Sequence, residues 1–181
     1  MLTIHRWSAT RAVPWKNGGG LTRELASHPA NDAFDWRLSV AEVASDGPFS
    51  EFPGVDRLIV LLDGAGMDLE FVDEASSVRL RPELGWYRFA GESVVHATLP
   101  DGPTTDLNLM WRRDRYDASL RMLEVPVGYD PVGRRMLVFV AAGAPTLSDG
   151  TLLMVGDAVE TDDGVALGGT GTVVVFVLDP R

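Results

Sequence analysis

Lys16 and Asn17 stand between an aromatic ring and a glycine run in Pro14-Trp15-Lys16-Asn17-Gly18-Gly19-Gly20. The segment offers a cation, an amide and a flat apolar face. It sets them beside backbone N–H groups that a bound molecule can approach closely, because glycine has no side chain and tolerates positive φ. This chemistry suits a small anionic ligand. The same residues also fit a tight surface turn on which Trp15 packs, and the segment alone does not separate the two readings.

Three further segments carry polar side chains in strand-like runs. In Asp35-Trp36-Arg37-Leu38-Ser39-Val40-Ala41, the period of two sends Trp36, Leu38 and Val40 one way and Arg37, Ser39 and Ala41 the other. An inward Arg37 needs an anion, either a buried acid or a ligand carboxylate; an outward one is simply solvated. Between Asp46 and Arg57 an irregular, turn-rich path carries Phe49, Ser50, Phe52, Asp56 and Arg57. The two phenylalanines can close over an apolar part of a ligand, with Arg57 as a fixed fork for a carboxylate; equally, they can plug a barrel end above an Asp56–Arg57 salt bridge. Asp106-Leu107-Asn108-Leu109-Met110 alternates as well, so Asp106 and Asn108 share a face with Met110. Facing a lumen, they present an acceptor and an amide to an N–H-bearing ligand; periodicity leaves open which face is the lumen.

Other chemistries find less support. His5, His28 and His96 are the only histidines, with no H-x-H pair and no helical spacing, and cysteine is absent. No metal or other cofactor is therefore expected, and disulfides and thiolate sites are excluded. There is no G-x-S-x-G elbow, no phosphate loop and no dinucleotide fingerprint around Gly18-Gly19-Gly20. His96 remains as a candidate base for a metal-free isomerase or lyase, against the plainer reading of a packed strand residue. The formal net charge of −10 repels a polyphosphate backbone, and the basic run Arg112-Arg113-Asp114-Arg115 is broken by an acid, so no direct nucleic-acid partner is expected. No stretch is apolar for long enough to span a bilayer, and a cytoplasmic, membrane-free protein is expected.

The elements that must hold these residues are strands. Nineteen glycines and eleven prolines cut the chain into short pieces that alternate or are β-branched. The run Leu58–Leu62, the turn Asp63-Gly64-Ala65-Gly66 and the alternating Met67–Phe71 predict a hairpin of one buried and one wet strand. Helix is predicted only weakly, over Asp114 to Leu120, and 112–134 reads as a connection. Phe89-Ala90-Gly91-Glu92-Ser93-Val94 echoes Met154-Val155-Gly156-Asp157-Ala158-Val159, as a repeated β-barrel unit would.

Taken together, P-W-K-N-G-G-G, F-D-W-R-L-S-V-A from Phe34, D-G-P-F-S-E-F-P-G-V-D-R from Asp46, L-L-D-G-A-G from Leu61 and D-L-N-L-M from Asp106 resemble the HutD/Ves family. The resemblance implies an all-β, double-barrel (bicupin-like) cupin fold. A first barrel is expected over 1–111; over 112–181 a connection and a shorter second half follow, both in one compact unit. It also implies a metal-free binder of a small anionic metabolite, urocanate or a formylated acid, that limits expression of bacterial histidine utilisation. No enzymatic reaction comes with it. The segment Phe49-Ser50-Glu51-Phe52 lacks the histidine pair of metal-binding cupins. Ligand-site residues implied by the motifs are Trp15, Lys16, Asn17, Arg37, Ser39, Phe49, Ser50, Phe52, Asp56, Arg57, Asp106 and Asn108. A homodimer is expected by analogy with other cupins, and an interaction module docking on a regulator is a further alternative.

Overall fold

Short β-branched runs punctuated by glycine and proline leave no room for long helices, and the fold follows that rule. A computed structural model describes residues 1–30 and 33–181. Among them there is no α-helix, only a 3-10 turn at Trp7–Ala9. In chain order the strands are β1 (Leu2–His5), β2 (Ala12–Pro14), β3 (Gly20–His28), β4 (Trp36–Val43), β5 (Gly47–Pro48), β6 (Val55–Asp63), β7 (Met67–Phe71) and β8 (Ser76–Leu80). There follow β9 (Trp86–Ala90), β10 (Val95–Thr98), β11 (Thr104–Arg112), β12 (Tyr116–Tyr129), β13 (Arg135–Gly143), β14 (Thr146–Leu147), β15 (Ala158–Thr161) and β16 (Val165–Pro180).

The chain divides into two compact units, one of Arg11–Arg115 and one of Met1–Thr10 with Tyr116–Arg181. In the first, a sheet ordered β2-β3-β4-β11-β6-β9 accompanies a four-stranded sheet ordered β5-β10-β7-β8. Buried side chains from both sheets, among them Ile59, Leu61, Leu69, Phe71, Phe89 and Val95, form one apolar cluster. In the second, the path β1-β15-β13-β16-β12, with β14 on β16, encloses a valine-rich core that includes Val138, Val159, Val173 and Val175.

Several sequence expectations are corrected. The first ten residues, read as part of the first barrel, pair with the second unit instead: β1 runs antiparallel to β15, Leu2 opposite Thr161. The stretch 112–134 is mostly the strand β12, paired with β16 from Tyr116 to Tyr129, and no helix forms near Asp114 to Leu120. The β6–β7 hairpin does not exist either. β6 pairs with β11 and β9, β7 with β10 and β8, so Asp63–Gly66 turns a corner between sheets. That corner has Gly64 at φ +103°, where an added Cβ would lie 2.9 Å from the Pro103 carbonyl oxygen. The two echoed segments do sit at like places. The Gly91 N–H donates to the Val55 carbonyl of β6 at 2.6 Å, and the Gly156 N–H to the Val140 carbonyl of β13 at 2.9 Å.

Candidate functional site

The strands β4, β11 and β6 lie side by side and decide the question that alternation left open. Leu107, Leu109 and Trp111 share one buried face with Val40, Leu38 and Trp36. Their neighbours therefore point the other way, into a cavity of about 560 Å³ in the first unit. Registers place the cavity-facing residues in rows. Met110 lies opposite Arg37 on one side and Arg57 on the other, and Asn108 lies opposite Ser39 and Ile59. Asp106 lies opposite Ala41 and Leu61, and the bulge against β6 comes between it and Thr105. One end of the floor is thus cationic, the middle is amide and hydroxyl, and the far end is a carboxyl.

Aromatic rings hold the two guanidiniums in place. The Arg57 group lies 5.0 Å from the Phe89 ring centre and 5.1 Å from that of Phe49. That of Arg37 lies 4.7 Å from Phe34 and 5.5 Å from Phe52. The negative ring faces partly replace water around each cation. Arg37 Nη2 also donates to Met110 Sδ at 3.0 Å, and Arg57 Nη1 makes a long 3.4 Å contact to the Ser50 carbonyl. Arg57 Nε, Asp106 Oδ1 and Asn108 Oδ1 are buried with no hydrogen-bond partner.

Burial sets the electrostatics. It pulls the Arg57 guanidinium down to about 10, opposed by Asp106 and reinforced by Arg37, so Arg57 stays cationic at neutral pH. Burial likewise pushes Asp106 up to about 7, although Arg57 pulls the other way. With Lys16 at the rim, three cations and one carboxyl line the cavity.

The glycine motif is a tight turn whose Trp15, Lys16 and Asn17 also line the cavity. Residues 15–19 join β2 to β3; the Trp15 N–H donates to the Gly20 carbonyl and the Gly18 N–H to the Trp15 carbonyl. Asn17 Oδ1 accepts from the Gly19 N–H at 3.0 Å, an Asx-type turn that leaves the Asn17 amide donors for other partners. Trp15 Nε1 donates to Thr22 Oγ1 at 2.7 Å, which fixes the ring as a cavity wall. It is a tight turn and a wall together.

The structure brings Trp15, Lys16, Asn17, Arg37, Ser39, Phe49, Ser50, Phe52, Arg57, Asp106 and Asn108 to this one cavity. Asp56 is the exception. One residue before Arg57 on β6, it points away and binds Arg88 and Arg113 at 2.8 and 2.9 Å, so there is no local Asp56–Arg57 bridge. His96 is not part of the lining either; it alternates with the buried Val95 and Ala97 on β10. Pro14, Thr22, Ala41, Pro48 and Met110 line the cavity without having been expected as site residues. Ala41 and Met110 continue the alternating sets of Arg37 and Asp106, a signal present in the sequence. Thr22 is found only through its register opposite Ala41. Among the described residues no group of three or more histidines and acids is placed to hold a metal ion, and no helix is long and apolar enough to cross a membrane.

The sequence profile of the HutD family matches residues 8–175. Protein Ves of Citrobacter koseri is 44% identical over 138 residues, 75% of this chain and 70% of that protein. An uncharacterised 21.2 kDa protein in the hutC 3' region of Pseudomonas putida is 42% identical over 114 residues, 62% of this chain and 59% of the relative. The solved HutD of Pseudomonas fluorescens SBW25 superposes over 100% of both chains with a TM-score of 0.88 at 30% identity. Solved structures only 10% and 11% identical share the architecture alone, with TM-scores of 0.74 and 0.76; the fold is of the cupin type.

Proposed function

The chain belongs to the HutD family, and from that premise we propose that it is a metal-free cupin binding a small carboxylate metabolite, urocanate or a formylated acid, and that this binding limits expression of histidine-utilisation genes. One observation carries the reading: a chain of net charge −10 concentrates Lys16, Arg37 and Arg57 around a single concave site whose only acid is Asp106. Two of those cations stand on the floor between aromatic rings, where a carboxylate replaces lost hydration with charge-assisted hydrogen bonds. Trp15, Phe49 and Phe52 supply apolar faces for a planar ligand. The placement of a relative beside hutC in Pseudomonas putida supports the pathway.

A binder fits better than an enzyme. The one histidine considered as a base, His96, is outside the cavity lining, and the lining offers Asp106 as its only titratable acid. One or two charge-assisted pairs and an aromatic contact correspond to a dissociation constant of roughly micromolar to millimolar, the range a metabolite sensor needs. Calorimetric titration of chelator-treated protein with urocanate, formylglutamate, formate and histidine tests the reading. Saturable binding of one of the acids without added metal is expected. Binding to none, or only after metal is restored, would overturn it.

A further inference from the structure

The cationic row accounts for a ligand's acid group but not for the rest of the floor. Asn108 follows one pleat beyond Met110 and Asp106 two, on the same face of β11, so their side chains emerge about 7 Å apart along the strand. Both residues are more than nine-tenths buried, and the Oδ1 atom of each lacks any hydrogen-bond partner. Ser39, the cross-strand neighbour of Asn108, is buried beside them. Two orphaned acceptors on one wall of a cavity are an uncommon arrangement, since buried polar atoms almost always find a donor. A carboxylate held by Arg37 and Arg57 leaves them as they are, because it brings acceptors only.

We infer that the ligand carries its own N–H donor on the side away from its acid group, and that Asn108 and Asp106 form the subsite that reads it. The inference rests on the carboxylate reading of the same cavity and narrows it. Acids whose far end is an azole, an amide or an N-acyl group fit. Acids that are hydrocarbon or ether at that end leave both acceptors unpaired and are rejected, in the way that any site built around a substrate N–H rejects the analogue lacking it. The donor is neutral rather than an ammonium, because the lining already sets three cations against one carboxyl. An α-amino acid, bearing its charge beside its carboxylate, brings a fourth cation to the arginine row.

The test compares two planar acids of the same length, urocanate and 3-(2-furyl)acrylate, at pH 8 by calorimetric titration. The furan has one acceptor oxygen and a C–H where the imidazole has its two nitrogens, so it carries no ring N–H, and the acrylate is unchanged. Urocanate is expected to bind at least about tenfold more tightly, the effect of leaving a buried acceptor unpaired. Asp106→Leu, which removes the acceptor and keeps the branched shape, is expected to shrink that ratio. Equal affinities, or tighter binding of the furan, would overturn the inference while leaving the carboxylate reading standing. A ratio unchanged in Asp106→Leu would overturn it too, by moving discrimination to other groups. Saturation by neither acid would remove the subsite together with the carboxylate reading beneath it. If Asp106→Leu does not fold, the wild-type ratio alone decides.

Discussion

Asp106 and Arg57 share one buried cavity from adjacent strands without joining into an ion pair. Asp106 Oδ1 and Arg57 Nε each lack a hydrogen-bond partner, yet each displaces the other's proton equilibrium. A buried pair left apart in this way adds little to stability and is poised for a third group to enter between or beside its members.

Burial of Asp106, only partly opposed by Arg57, makes stability depend on pH in a direction opposite to the usual surface carboxylate. Asp106 titrates at about 7 in the folded protein against 3.8 in the unfolded chain. Between those values the folded state holds the extra proton, so stability falls as pH rises from about 4 to about 7 and is level beyond. Asp106→Asn removes this component. At pH 8 the variant is expected to be more stable than wild type, on the order of 2–4 kcal/mol, with the difference vanishing below pH 4. Urea unfolding at pH 4 and pH 8 measures it; a constant difference at both would contradict the account.

Arg57→Met separates binding from folding. Methionine fills most of the space between Phe49, Phe52 and Phe89 and relieves the burial of a cation. Urocanate affinity is expected to fall by at least about tenfold, as befits a lost charge-assisted bond. The melting temperature is expected to stay the same or rise. Unchanged affinity with a folded variant would exclude Arg57 from the ligand site.

Much of the cavity lining was legible in the chain, and the reason lies in the pleat. Arg37 with Ser39, and Asp106 with Asn108, must share faces whatever the topology. Which face is the cavity is not a local property. It is set by the pairing of β11 between β4 and β6, whose partner residues, such as Met110 with Arg37 and Arg57, are far apart in the chain. The same limit explains the errors. Asp63–Gly66 has the composition of a hairpin turn, and only the non-local partners of β6 and β7 reveal a corner. β12 carries Arg121, Glu124 and Pro126, which obscure its alternation, and its strand character comes from the valine-rich β16 it pairs with. Asp56 was grouped with Arg57 by motif, whereas a one-residue step along a strand always changes face.

The turn carrying Trp15 has its own test. Gly20 sits where β3 starts, and an added Cβ would lie 2.3 Å from the Glu42 carbonyl oxygen and 3.2 Å from the Trp15 ring. Backbone on one side and a cavity wall on the other leave no easy retreat. Gly20→Ala is expected to destabilise by roughly 1–3 kcal/mol and to weaken urocanate binding as Trp15 shifts. Gly47→Ala, with nothing within 4 Å and no positive φ, is the matched control and is expected to be neutral or slightly stabilising. Equal thermal midpoints for the two variants would refute the close-approach account.

In the second unit, Asp157 is the anchor for the first ten residues. Its Oδ1 accepts from the Trp7 N–H at 2.9 Å; its Oδ2 accepts from Arg6 Nη1 at 2.7 Å and from the Met154 N–H at 3.0 Å. Burial pushes its carboxyl up, but the Met154 and Trp7 amides and Arg6 together outweigh burial and hold it below the ordinary aspartate value. The stability this supplies is present above the unfolded value of 3.8 and lost as pH falls through the lower folded one. Asp157→Asn turns part of the acceptor set into donors facing donors and removes the charge opposite Arg6. The expected loss is roughly 2–4 kcal/mol, with the amino terminus released first. Trypsin cleavage after Arg6 and Arg11 should accelerate by tenfold or more at temperatures well below global unfolding. In Arg6→Ala, which keeps only the Arg11 site of the two, cleavage after Arg11 should accelerate less, because the Arg6 side chain is already 36% exposed. If cleavage in Asp157→Asn keeps the wild-type rate, the first ten residues are held by β1–β15 pairing alone and the anchor has no mechanical role.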